Sequence, residues 1–326
     1  MPDLAELEAR LIAPGSFFTL SETSRNGYRE LFFTNAPRTL LELFAKFASR
    51  GSQPYAITKH RVLSYGEASR RSTALAAVIT KSSGFLPRNY VGVSITDMTL
   101  WTISVFGILL AGGVPVLIPS DSDVEASAAI QSCVLVLVDQ QESQRASSVL
   151  GTILRVDSIE NDFPQSPAST EVTCAPLGKS VGTDDLAFIV HTSGSTGAAK
   201  PVAISHRGLM TGLYNMLLAG SLSSAATGGG KRTGSVRTLP LPLAVAPLSH
   251  VSGYSSIFLA ALLGGQVAQA SNNTNAVIEM CNNYPITSII GARASVLHGL
   301  LGSGSFEGIS RLRSIGVAGG ALQIAW

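Results

Sequence analysis

Short, uninterrupted apolar runs recur along this chain and leave few folds open to it. VGVSI (Val91–Ile95), VPVLI (Val114–Ile118), VLVLVD (Val134–Asp139), AFIVH (Ala187–His191), QVAQA (Gln266–Ala270), ITSII (Ile286–Ile290) and LRSIGVAG (Leu312–Gly319) are each of strand length. Between them lie segments of helical character: Thr99–Leu110, Asp123–Ile130, His206–Leu218, Ser252–Leu263, Ala276–Asn282 and Ala294–Leu301. Continuously apolar strands with helices interleaved need a largely parallel sheet covered on both faces. The expected class is α/β, with repeated α/β winding.

The most apolar stretch, Trp101 to Pro119, has the length of a membrane span. Ala111-Gly112-Gly113 and Pro115 interrupt it, so helix, turn and strand are the better assignment. Earlier in the chain, TLLELFAKFA (Thr39–Ala48) places apolar residues at helical spacing. Ser64-Tyr65-Gly66-Glu67 then opens a second helix, continuing through Ala68 to Thr80, with Ser64 as its cap and Glu67 three residues on. Residues 1–38 form an N-terminal extension that resists assignment. About residues 157–180 the chain is rich in Ser, Pro, Asn and acidic residues and is expected to connect two sheet-building halves. Ser221–Gly234, SLSSAATGGGKRTG, is expected to be a flexible loop.

Composition excludes several roles. Of the 326 residues 45% are hydrophobic and 13% charged, with a net charge of +2. The basic residues are scattered, without the clustered face of a nucleic-acid binder. Cys133, Cys174 and Cys281 are far apart and form no CxxC pair, against a disulfide framework or a zinc site. The first residues, MPDLAELEAR, lack the basic and apolar blocks of a signal peptide. A cytoplasmic, reducing location is the default expectation.

The chemistry centres on FIVHTSGSTGAAKPVAISHRG, Phe188 to Gly208. A strand running into a Gly/Ser/Thr loop ahead of a helix can surround an anion with backbone N–H groups and hydroxyls. Thr192, Ser193, Ser195 and Thr196 supply hydroxyls, Gly194 and Gly197 allow close approach, and Lys200 can neutralise phosphate charge. The Walker A pattern does not fit. Counted from Gly194, Ala199 stands where its second glycine belongs and Pro201 where its Mg²⁺-binding hydroxyl belongs.

TSGSTGAAK (Thr192–Lys200) instead resembles the T-S/T-G-S/T-T-G-x-x-K loop of the adenylate-forming superfamily. That group comprises the acyl- and aryl-CoA synthetases, luciferases and nonribosomal peptide adenylation domains. SHRGL (Ser205–Leu209) is similar to the H-x-x-L helix start that follows, and Pro201 departs from the usual glycine. LSYGEA (Leu63–Ala68), GILLAGGVPVLIPSD (Gly107–Asp121), PLSHVSGY (Pro247–Tyr254) and VAGGALQ (Val317–Gln323) resemble further family elements, in the family's order. Together they cover about residues 39–326, a partial AMP-binding N-terminal domain.

The resemblance implies ATP-dependent activation of a carboxylic acid as an acyl-adenylate. The acyl group then passes to CoA or to the phosphopantetheinyl thiol of a carrier protein. ATP and Mg²⁺ are the implied cofactors. Thr192, Ser193, Gly194, Ser195, Thr196, Gly197 and Lys200 would hold the pyrophosphate end of ATP. Gly319, Gly320 and Ala321 would lie against the adenine, and His250 beside the carboxylate. His191, His206 and His298 receive no catalytic role, and His206 is expected to cap or pack at its helix start. Tyr254 and Ser252 line the acid pocket or pack the core. Family members continue with a Y-G-x-T-E segment, a ribose-binding aspartate and a small C-terminal domain with a catalytic lysine. None of these lies within residues 1–326, so the chain is expected to be a front portion, inactive alone. The alternative is a non-catalytic nucleotide- or acyl-binding module.

Overall fold

The computed structural model describes residues 3–25, 27–119, 128–147, 152–159, 181–192, 199–226, 240–302 and 310–317. Two six-stranded sheets dominate it. One contains β3 (Pro54–Ile57), β4 (Val62–Ser64), β11 (Leu241–Ala244), β12 (Val267–Gln269), β13 (Ile286–Ala292) and β14 (Ser314–Val317) in the order β14-β13-β11-β12-β3-β4. The other contains β5 (Tyr90–Ser94), β6 (Val114–Leu117), β7 (Cys133–Val138), β8 (Ile153–Arg155), β9 (Leu186–Thr192) and β10 (Lys200–Ser205) in the order β10-β9-β6-β5-β7-β8. Only the edge pairs β3/β4 and β9/β10 are antiparallel within these sheets. The α/β class with mostly parallel sheets is therefore observed.

Helices α4 (Met98–Leu110) and α9 (Val251–Leu263) form a shared core layer. Every α4 residue from Met98 to Leu109 is buried, which is why this helix shows no polar stripe in the sequence. Trp101 and Phe106 of α4 meet Phe258 of α9 at ring distances of 5.9 and 6.1 Å. Phe258 in turn stacks on Phe188 of β9 at 6.1 Å, so α9 links the two sheets. The uncharged stretch from Trp101 is thus helix, turn and strand. Among the described residues no helix is long and apolar enough to cross a membrane.

Local signals place several elements as expected. Glu67 N–H donates to Ser64 Oγ at 3.2 Å, capping α3 (Tyr65–Lys81). Thr39 caps α2 (Leu40–Ala45) in the same way, through Glu42 N–H.

Two assignments are corrected. The chain does not pass from the Ser/Gly loop directly to a helix: Lys200 begins strand β10, which returns along β9 before α8 (His206–Ala226) starts. Pro201 fits there because β10 is an edge strand, where a missing N–H is tolerated. The helix α8 also runs through Ser221–Ala226, residues assigned above to a flexible loop. Leu213 and Tyr214 anchor it in the core, and its serine-rich last turns extend from that anchor. Residues 227–239 and 160–180 lie outside the described residues.

The N-terminal extension contains α1 (Leu4–Leu11) and an antiparallel hairpin of β1 (Leu20–Arg25) and β2 (Tyr28–Phe33). It docks on α8 through an aromatic cluster. Tyr214 stacks on Phe17 at 5.2 Å and lies 5.2 Å from Phe33.

Candidate functional site

The hairpin β9/β10 holds the two ends of the Ser/Gly-rich segment. Thr192 closes β9 and Lys200 opens β10, paired in register, with Ser193, Gly194, Ser195, Thr196 and Gly197 outside the described residues. Both flanking side chains are exposed, and Lys200 makes no ion pair among the described residues. His191 Nδ1 sits 3.1 Å from Leu117 O, fixing β9 to β6 just before the loop. Burial pushes the His191 pKa down, which favours the neutral ring.

His250 stands at the N-cap of α9, exposed, with its side chain making no capping hydrogen bond. The turn before it is fixed by packing. His250 N–H donates to Pro247 O at 3.0 Å, and a Cβ on Gly253 would lie 2.1 Å from that same oxygen. The spacing from Pro247 to Gly253 is therefore a steric requirement that sets the direction in which α9 begins.

The two ends of α9 are treated differently. At its C-terminus Arg50 Nη1 donates to Ala261 O at 2.7 Å, and the Tyr65 hydroxyl lies 3.1 Å from Ala260 O and 2.7 Å from Gly265 O. Burial raises the Tyr65 pKa to about 12, so the phenol stays a donor. At the N-terminus the amides of Val251 and Ser252 have no partner among the described residues. Free amides at a helix N-terminus favour an anion.

The other two long helices that begin near strand ends of this site offer no such vacancy. At α4, Asp97 Oδ1 accepts from Thr99 and Leu100 N–H at 2.8 and 3.0 Å, and Gln269 Oε1 accepts from Met98 N–H at 2.8 Å. At α8, the first amides go to Asp185 O, Thr183 O and Ser205 Oγ at 3.0, 2.8 and 3.1 Å.

The loop strand and the His250 helix are in direct contact. Tyr254, in the first turn of α9, packs its ring 5.0 Å from Phe188 of β9, four residues before Thr192. Tyr254 is thereby a packing residue joining two motif-bearing elements. Gly319, Gly320 and Ala321 lie outside the described residues, beyond the end of β14.

Beside this junction a cleft of about 360 Å³ opens between the sheets, at the carboxyl ends of their strands. Ligands of open α/β sheets bind at such strand ends. Pro247, Leu248 and Ser249, just ahead of His250, line one wall, with Trp101, Gln269 and Arg293 among the others. Gln269 also clamps the sheets together, because its Nε2 donates to Thr96 O at 2.7 Å while its Oε1 holds Met98. The buried Asp139 accepts from Thr96 N–H, Thr96 Oγ1, Asp97 N–H and Glu142 N–H at 2.7, 2.8, 3.2 and 3.0 Å. Sequence reasoning missed this scaffold. The one local signal was Asp97, an N-cap residue ahead of an apolar helix. Among the described residues no three His, Cys, Asp or Glu side chains converge to hold a metal.

Two parallel-rich sheets, a strand hairpin flanking the Ser/Gly-rich segment and a buried central helix define an α/β architecture with largely parallel sheets. The AMP-binding enzyme family model matches residues 44–326, and the chain belongs to that family. AMB antimetabolite synthetase AmbB of Pseudomonas aeruginosa is 35% identical over 174 residues, covering 51% of this chain and 13% of its own length. o-Succinylbenzoate CoA synthetase (MenE) of Bacillus subtilis, solved with ATP and magnesium ion, superposes with a TM-score of 0.63 at 17% identity, over 84% of this chain and 53% of that one. The nonribosomal peptide synthetase FmoA3 gives a TM-score of 0.65 at 21% identity, over 86% of this chain and 28% of that one. At these identities the structural likeness is one of fold. The chain spans a small fraction of the synthetase and about half of MenE.

Proposed function

We propose that this chain takes part in the ATP-dependent activation of a carboxylic acid as an acyl-adenylate, for transfer to CoA or a carrier-protein thiol. The observation that carries the reading is the packing of α9 on β9. It brings an exposed lysine and a helix N-terminus with free amides to neighbouring strand ends. In this reading Thr192, Lys200 and the loop between them hold the leaving pyrophosphate. The α9 amides and His250 orient the acid's carboxylate, and Gly319, Gly320 and Ala321 face the adenine. Mg²⁺ would arrive with ATP, coordinated largely by phosphate oxygens. When bound it neutralises charge on the phosphates. The protein's own contribution is positioning and charge complementarity, the main source of rate in phosphoryl and nucleotidyl transfer.

ATP–pyrophosphate exchange with a panel of carboxylic acids tests this. Acid-dependent exchange is expected from a chimera in which this chain is followed by the C-terminal part of a relative, whether or not the chain alone exchanges. Nucleotide binding with no exchange in either form would leave a non-catalytic binding module as the better reading.

A further inference from the structure

His206 opens α8 directly after β10, and its side chain is fully buried. Its Nδ1 accepts from Leu40 N–H, the first amide of α2, at 3.2 Å across 166 residues of sequence. Thr39, the cap of that helix, is engaged with Glu42 N–H and does not serve Leu40. An Nδ1 that accepts is unprotonated, so the neutral ring carries its proton on Nε2, which has no partner. A buried donor left unpaired is costly, and a leucine would fill the space without it. What the imidazole adds is the acceptor for Leu40.

That bond sits where β10 needs an anchor. β10 is an edge strand, held in its sheet through β9 alone, and its register shifts between Ile204 and Ser205. Lys200 is at its first position and His206 follows its last. The backbone at this end is closed by His206 N–H on Asp185 O and Arg207 N–H on Thr183 O. The imidazole adds the tie to a different element. We propose that His206 is a positioning residue of the phosphate-binding hairpin, tying the β10–α8 junction to α2 and so fixing the register in which Lys200 meets ATP. This inference rests on the reading of Thr192–Lys200 as the triphosphate-holding loop.

A double-mutant cycle on ATP affinity of the full chain tests it, using His206→Leu, His206→Asn and Lys200→Ala. His206→Leu is expected to weaken ATP binding about tenfold, within the usual range of site-to-site coupling. His206→Asn, whose Oδ1 stands where Nδ1 does and can accept from Leu40, should recover most of that loss. In the Lys200→Ala background His206→Leu should cost little more, because its effect runs through the lysine. Equal losses in both backgrounds, or no recovery by asparagine, would overturn the positioning role. An unchanged ATP affinity in Lys200→Ala alone would instead sink the loop reading, whatever His206 does. Hydrogen exchange in the unmutated protein gives a second reading that is independent of variant folding. ATP should slow exchange of the Leu40 amide, and an unaltered rate with ATP bound would overturn the coupling.

Discussion

Gly253 is held to hydrogen by its neighbour rather than by its own backbone. A methyl there would overlap the carbonyl of Pro247, a backbone group that cannot rotate away. Gly253→Ala is expected to cost about 3 kcal/mol, at the upper end of overpacking penalties, and to displace His250. Urea denaturation combined with acid-dependent exchange would check both effects, and an alanine variant with native stability would refute the steric account. His206 makes a second prediction at this scale. Burial lowers its pKa to about 4, against about 6.5 in the unfolded chain. The unfolded state therefore binds the proton first as pH falls. Stability is full above pH 6.5, declines through the window down to about 4 and levels off below it. The full step amounts to at most about 3 kcal/mol. His206→Gln should remove this step from a plot of urea midpoint against pH, and an identical profile in the variant would refute it. Residue-scale signals were legible where they were local. Ser64 and Glu67 lie three apart and were read directly. Asp139 and Gln269 act on Thr96–Met98 from 42 to 173 residues away, and no sequence window holds both partners.

At the scale of elements, α4 and α9 form the axle between the sheets, and Gln269 is the pin at the α4 end. Its amide supplies one acceptor and one donor to the backbone that leaves β5 and enters α4. Gln269→Leu keeps the volume but abandons Thr96 O and Met98 N–H, for a loss of about 1–3 kcal/mol. Faster amide exchange at Met98 should accompany it, with α11 (Ala294–Gly302) unaffected; uniform exchange across both helices would rule out a local clamp. The buried strands and helices were readable because their apolar runs are long. The strands that were not read are short or on edges: β1, β2, β3, β4, β8, β10 and β11 have 6, 6, 4, 3, 3, 6 and 4 residues. Pro201 and Pro242 lie inside two of them and argue locally against a strand. Tertiary pairing overrides that preference: β10 folds back on β9, and β11 is flanked by β12 and β13.

At the scale of the whole molecule, the question is what fastens residues 3–33 to the rest. Charge is one candidate: Arg25 and Arg207 meet Asp184 at 3.3 and 2.9 Å, and Arg207 also reaches Glu30 at 3.7 Å. Asp184 is half exposed, and exposed pairs of this kind contribute about 0–1 kcal/mol each. Packing is the other candidate, and it is larger. Phe18, Phe33 and Tyr214 are each at most 6% exposed, with Leu217, Leu218 and Leu262 against them, and the Tyr214 hydroxyl donates to Asn35 O at 2.8 Å. Burying side chains of this size is worth about 1.5–3 kcal/mol each. Packing therefore decides the attachment. Arg25→Ala should leave the melting temperature nearly unchanged. A chain shortened to begin at Thr34 should lose roughly 5 °C or more and associate through the uncovered face of α8. Calorimetry and sizing chromatography distinguish the cases. A shortened chain that melts like the full one and elutes as a monomer would mean that the aromatic cluster contributes little, and that the extension is only laid against α8.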